Sequence, residues 1–340
     1  MADSAPTALP PAQVVLQMTT GVWTAQALWA AASIGVADHL ASGPKTREEL
    51  ASATGTLPGP LYRVLRALAC LGVFAEQPDG RFVNTPASET LRSDVPGSVR
   101  GYVVFVGQPW HVAAYGELLH SLRTGRPAIE RITGKLIWEF FASDPEQARI
   151  FNEGMSGIIA DTVEAVREAY DFGGVQTLVD IGGGHGLLLG TILAANPKLR
   201  GVLFDQPSVV AGAPATFARL GVASRVTAVA GDFFEDVPRG DAYILSHIIH
   251  DWDDEKSIAI LRTIRRCAAP GARVLLVEAV IPPGNAFSFG KLLDLEMMAL
   301  PGGVERTEAE YRRLLEAGGF RLARVLPTHS PTNVVEAFVA

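Results

Sequence analysis

The sequence predicts an α/β chain: a doubly wound, mainly parallel sheet in the carboxyl-terminal half, preceded by a mostly α-helical domain that ends in a hairpin. Three observations carry this. The 340 residues are 48% hydrophobic and 19% charged, enough apolar matter for two cores and too much for a disordered or disulfide-stapled chain. Before residue 100, helical patterns give way to two short β-rich runs around Asp79-Gly80. From about residue 160, strand-like runs alternate with helical ones.

The first zone, 1–100, opens on a stretch without a charged residue between Asp3 and Asp38. Gln13, Gln17, Thr19, Thr20, Thr24 and Gln26 interrupt it and no basic segment flanks it, so neither a membrane span nor a secretory signal is expected. Two helices buried all round, as at a subunit interface, fit better. Thr46 then reads as an N-cap with Glu49 three residues on. A second helix follows Gly59-Pro60, with Leu61, Val64, Leu65, Leu68 and Leu71 on one face. Val73–Ala75 and Arg81–Val83 flank the Asp79-Gly80 turn. Helix, turn, helix and hairpin make a winged helix. Between Lys45 and Arg92 it holds six basic against five acidic residues, and the whole chain carries a net charge of −7. That is a poor match to a phosphate backbone, so dimerisation rather than nucleic-acid binding is expected. Cys70 and Cys267 each sit in an apolar helical pattern and read as reduced core thiols of a cytoplasmic protein.

The second zone, 101–160, is rich in rings: Tyr102, Phe105, Trp110, Tyr115, Trp138, Phe140, Phe141 and Phe151. These rings suit helix packing or the wall of a pocket for a flat aromatic ligand. The third zone, 161–340, offers strands at Thr177–Ile181, Gly201–Phe204, Val226–Val229, Ala242–Ser246, Arg273–Glu278 and Val334–Val339, with helical patterns between the first five. This is a Rossmann-like order, and such sheets bind ligands at the carboxyl ends of their strands.

Those ends carry the chemistry. Asp180-Ile181-Gly182-Gly183-Gly184-His185-Gly186 fits D-x-G-x-G-x-G, whereas a nicotinamide fingerprint counted from Gly182 fails at Leu187. Asp205, nineteen residues beyond Gly186, suits the two hydroxyls of a ribose; otherwise it caps the helix that starts at Gln206-Pro207. Asp232-Phe233 can hold an adenine amino group and cover its face, or form a plain turn.

Together these residues resemble class I S-adenosylmethionine-dependent methyltransferases. The segment Ser246-His247-Ile248-Ile249-His250-Asp251-Trp252 resembles the His-Asp-Trp block of the small-molecule O-methyltransferases of the caffeate and antibiotic-tailoring type. Val277-Glu278-Ala279-Val280-Ile281-Pro282 and Pro301-Gly302-Gly303-Val304-Glu305-Arg306-Thr307 match further. The resemblance spans nearly the whole chain, since that family also carries an N-terminal winged-helix dimerisation domain. It implies a homodimer that uses S-adenosylmethionine, bound by Asp180, Gly182, Gly184, Asp205, Asp232, Phe233 and Ser246. It implies His250 as general base, oriented by Glu278 and Glu305, and Met155, Met297 and Asp251 as contacts to an aromatic acceptor. Ser246 stands where plant relatives commonly have a lysine. Neighbouring carboxylates would raise the affinity of the imidazole for a proton and fix its tautomer. His247, His250 and Asp251 are close enough in sequence to share a metal, yet the family is metal-independent and none is expected. Two other readings stay open: a relative that keeps the cofactor but hydroxylates or decarboxylates, and a winged-helix regulator that senses a small ligand.

Overall fold

The structure, a computed structural model, describes residues 10–340, so Asp3 and its neighbours lie outside the described residues. The chain forms two compact units. The first runs to Val112 and adds Asp144–Ile158; the second comprises Ala113–Ser143 and Ile159–Ala340.

In the first unit, helices Pro11–Thr19, Gly21–Ser33 and Val36–Leu40 precede Arg47–Thr54 and Pro58–Cys70. Thr46 closes a capping box: its hydroxyl accepts from the Glu49 amide at 3.2 Å, and the Glu49 carboxylate accepts from the Thr46 amide at 2.7 Å. Helix Pro58–Cys70 takes Gly59 and Pro60 into its first turn, where proline's missing N–H costs nothing. Leu61, Leu65 and Leu68 are buried, while Leu71, past the end of the helix, faces outward. The hairpin pairs β1 (Phe74–Glu76) with β2 (Phe82–Asn84). Two expectations need correction. The opening helices are not buried all round within the protomer, because Val15, Leu16, Met18, Val22 and Trp23 are exposed. Nor is either cysteine fully buried in a core, although Cys267 packs against one. Cys70 lies on the face of its helix opposite Leu61 and is exposed, and the half-exposed Cys267 thiol donates to Asp236 at 2.9 Å. Among the described residues no helix is long and apolar enough to cross a membrane.

The second unit is built on seven strands: β3 (Thr177–Ile181), β4 (Arg200–Asp205), β5 (Val226–Ala230), β6 (Ala242–Ser246), β7 (Arg273–Glu278), β8 (Phe320–Pro327) and β9 (Asn333–Val339). Their order is β5-β4-β3-β6-β7-β9-β8. β3 to β7 run parallel; β9 lies antiparallel to both β7 and β8. The chain goes from β3 outward on one side and returns through β6 on the other, which puts the topological switch between β3 and β6. Alternate residues face two cores. Leu178, Leu203, Ile244 and Leu275 pack with helix Leu187–Ala195 and Phe217, whereas Val179, Phe204, Leu245 and Leu276 pack with helices Asp254–Cys267 and Glu308–Ala317. Two features differ from expectation. No helix joins β5 to β6, since Gly231, Pro238 and Gly240 break that short connection. β8 is an additional edge strand, irregular between Leu322 and Arg324.

Candidate active site

Parallel strands deliver their last residues to one edge of the sheet. Gly182, Gly184 and Gly186, after β3, all have positive φ, so the loop needs glycine for its backbone alone. Gly183 is required for space: a Cβ there would stand 2.5 Å from the Asp180 carboxylate and from Leu203. The Gly182 amide donates to Phe204 O at 2.8 Å and the Gly184 amide to Asp205 Oδ2 at 2.8 Å, so the loop is tied to the end of β4. The other Asp205 oxygen takes the Gln206 amide at 2.6 Å, and Gln206 is the N-cap of the next helix, so Asp205 does not cap it. After β5, exposed Asp232 accepts from the Phe234 amide at 2.8 Å. Phe233 packs its ring 5.0 Å from Phe234 and 6.1 Å from Trp252.

Asp180 is the outlier of this group. It is 1% exposed, and neither carboxylate oxygen has a hydrogen-bond partner at normal distance, with only minor help from the Leu189 amide. Burial, and then the Asp205 charge, push its pKa up to about 7.

β6 ends at Ser246, and the chain then turns sharply. His247 adopts φ 55°, a left-handed conformation that costs a non-glycine residue roughly 1–2 kcal/mol. Its amide still donates to Val277 O at 3.1 Å, and Ser246 Oγ lies 3.2 Å from its Nδ1. Burial and the nearby His250 drive the His247 pKa down to about 3, so this ring is neutral. The turn aims the Ile248 and Ile249 amides at Glu278 Oε1, at 3.2 and 2.9 Å. A single 3₁₀ turn, Ile249–Asp251, then presents His250.

His250 is buried among carboxylates. Its Nδ1 is 2.7 Å from Glu305 Oε1 and 3.5 Å from Glu278 Oε2; its Nε2 is 3.6 Å from Asp251 Oδ1. The short contact assigns the proton to Nδ1, donated to Glu305, and leaves Nε2 as the acceptor. Burial alone would lower the imidazole pKa, but Glu278, Asp251 and the bond to Glu305 outweigh it and raise it to about 10. Burial lifts Asp251 to about 6, and it also raises Glu278. Asp294 Oδ1 accepts from the Glu305 amide at 2.8 Å, fixing the backbone that carries this carboxylate. His250, Glu278 and Glu305 offer ligand atoms within 4.8 Å of one another. The 2.7 Å contact is nevertheless that of a shared proton; two ligands of one tetrahedral zinc stand roughly 3.3 Å apart.

Met297 is buried on helix Phe289–Ala299, and its carbonyl accepts from Gly302 and Gly303 at 2.8 and 3.1 Å, so this helix holds the segment leading to Glu305. Met155 is half-buried in the first unit, on helix Pro145–Ala169.

Comparison with known proteins agrees with this arrangement. Residues 115–321 match the O-methyltransferase domain, and residues 16–94 the O-methyltransferase dimerisation domain. A phenazine O-methyltransferase of Lysobacter antibioticus is 45% identical over 331 residues, covering 97% of each chain. The chain belongs to the O-methyltransferase family. The solved structure of LaPhzM superposes with a TM-score of 0.93 at 44% identity, covering 98% of this methyltransferase and 100% of that chain. That of CalO1, a methyltransferase in calicheamicin biosynthesis in its S-adenosylhomocysteine-bound form, gives 0.86 at 38% identity over 98% and 100%. The protein is an S-adenosylmethionine-dependent O-methyltransferase that works as a homodimer.

The residues of this methyltransferase fit that cofactor. What the glycine loop leaves unsatisfied is an acceptor, the buried Asp180 carboxylate, and the cofactor's ammonium and ribose hydroxyls are donors. Three features escaped the sequence reading. The left-handed His247 is one, and the Glu278 clamp on two amides is another. The third is Arg306, which is fully buried beside Glu305. Only Arg306 left a trace in the sequence, as an arginine that follows a candidate catalytic glutamate just after a glycine pair.

Proposed function

We propose that His250 is the general base for methylation of a hydroxyl on a fused aromatic acceptor, with Glu305 and Glu278 fixing its orientation. The single observation that carries this is the 2.7 Å bond from Nδ1 to Glu305, which in the neutral ring leaves Nε2 as the proton-accepting nitrogen. Bound S-adenosylmethionine supplies the electrophilic methyl group on its sulfonium. Asp180, Gly182, Gly184, Asp205, Asp232, Phe233 and Ser246 hold it at the ends of β3 to β6. A phenol has a pKa near 10, as does Tyr. An imidazole raised to about 10 therefore takes the phenolic proton at little free-energy cost as the oxygen attacks. The carboxylates around it stabilise the imidazolium that forms. Asp251 and Met297 contact the acceptor. In this division 1–100 dimerises and 161–340 catalyses. The fused-ring acceptor follows from the likeness to a phenazine O-methyltransferase. We also place the enzyme in the cytoplasm, in keeping with two free thiols.

The test is His250→Ala with hydroxyphenazine as acceptor. Turnover should fall by about 10²–10⁴-fold, while S-adenosylmethionine affinity measured by calorimetry stays within a factor of two. Undiminished turnover would remove the base and leave alignment of the reactants as the main effect.

A further inference from the structure

We infer that Arg306 is the positioning residue that fixes His250, an inference that rests on His250 being the base. Arg306 is 1% exposed, one of the largest fully buried side chains among the described residues. Its Nε and one terminal nitrogen reach Asp254 Oδ1 at 2.9 and 2.8 Å. Yet the Asp254 side chain is 75% exposed. An ion pair half of which stands in water offsets little of the cost of burying a guanidinium.

The remaining bonds show what this buried charge does. One terminal nitrogen donates to Ile249 O at 3.2 Å and the other to Trp252 O at 2.9 Å, the carbonyls on either side of His250-Asp251. Further bonds go to Val304 O at 3.1 Å and Ser257 Oγ at 3.4 Å. Ser257 Oγ lies 3.3 Å from both Ile249 O and Trp252 O and shares its one proton between them, so the turn is held from two sides. The backbone of Arg306 completes the frame. Its carbonyl accepts from Ile281 at 3.0 Å, and its bridge to Val280 joins it to the extension of β7, the strand that ends in Glu278. One residue earlier stands Glu305, and the Val304 amide donates to His250 O at 2.8 Å. Gly303 makes the approach possible, since a Cβ there would fall 1.8 Å from that same oxygen. Arg306 thus ties together the three segments that bear His250, Glu278 and Glu305. The planar fork of arginine can hold two carbonyls and a carboxylate at once; the single ammonium of lysine cannot.

The test is a double-mutant cycle in the full-length enzyme with S-adenosylmethionine and hydroxyphenazine. Arg306→Lys keeps the charge and loses the fork. It should lower kcat on the order of 10²-fold, the effect of displacing a catalytic group by about 1 Å, with KM for S-adenosylmethionine within twofold. In a His250→Ala background the same replacement should lower kcat less than twofold, because Arg306 then has no base to position. An equal fold-loss in both backgrounds, or full activity in Arg306→Lys, overturns the inference. A His250→Ala enzyme with undiminished turnover refutes the base itself, which is a different result. If Arg306→Lys does not fold, Asp254→Asn at the exposed end of the network replaces it. That variant should cost about fivefold in kcat in the native background and nothing beside His250→Ala; any other pattern overturns the inference.

Discussion

Glu305→Gln is the perturbation that separates a proton-accepting His250 from a merely structural one. Glutamine keeps the length and an oxygen acceptor for Nδ1–H, but it removes a buried charge 2.7 Å from the ring. A hydrogen bond to a charged group contributes about 1.5–3 kcal/mol and a neutral one about 0.5–1.5, so the change weakens the imidazolium by roughly 1.4 kcal/mol. That is about one pKa unit and about a tenfold slower proton-transfer step. The sign follows from the folded environment. Glu278, Asp251 and Glu305 raise His250 to about 10, and the base is its deprotonated form, so activity rises with pH through that value. Losing one carboxylate moves the acidic limb down by about one unit, while the plateau falls because the base is weaker. The limb belongs to the whole carboxylate–imidazole cluster and is read as a macroscopic value. The assay is kcat/KM for hydroxyphenazine from pH 6 to 10.5, with kcat at saturating S-adenosylmethionine. A limb that stays in place or moves to higher pH, with an unchanged plateau, refutes the reasoning.

Two further predictions concern stability and assembly. The Asp180 carboxyl titrates near pH 7 when folded and at about 3.9 when unfolded, so the folded chain holds a proton that the unfolded chain has released, and stability falls as pH rises between the two. Asp180→Asn should therefore gain roughly 2 kcal/mol over the native enzyme between pH 5.5 and 8.5, measured by urea unfolding, and a pH-independent difference would contradict it. Trp23 is 72% exposed in the protomer, and covering it in a homodimer contributes roughly 3 kcal/mol on each side. Trp23→Asp should sediment as a monomer at micromolar concentration; a persistent dimer would move the interface elsewhere.

Much of this protein was legible in its sequence because local rules govern those parts. Thr46 and Glu49 form their capping box, and Asp79-Gly80 turns its hairpin, because each depends on neighbours within a few residues. β3, β6 and β7 have the limits expected from their apolar runs, since strands buried on both faces tolerate little else. Other parts were not legible for equally physical reasons. β8 carries Arg321 and Arg324 and ends at Pro327, an edge-strand composition that hides its alternation. Cys70 sits in an apolar run, but only the packing of Leu61, Leu65 and Leu68 decides which face of the helix is buried. The uncharged run of the first helices pointed to a subunit interface, but only the structure shows which of its apolar residues, among them Val15, Leu16, Met18, Val22 and Trp23, the protomer leaves exposed.

The sequence by itself determined the fold class, the glycine loop after the first strand of the sheet, and the residue types gathered at the ends of β3 to β7. Residue type and spacing suffice there, because strand polarity in a doubly wound sheet brings those ends together whatever else the chain does. Tertiary structure alone decided the protonation and aim of His250. Glu278 and Glu305 lie 28 and 55 residues beyond it, and their distances to Nδ1 are set by the β6–β7 register, the Arg306 network and the left-handed turn at His247. A pKa depends on charges and burial within a few ångströms, and folding sets those distances.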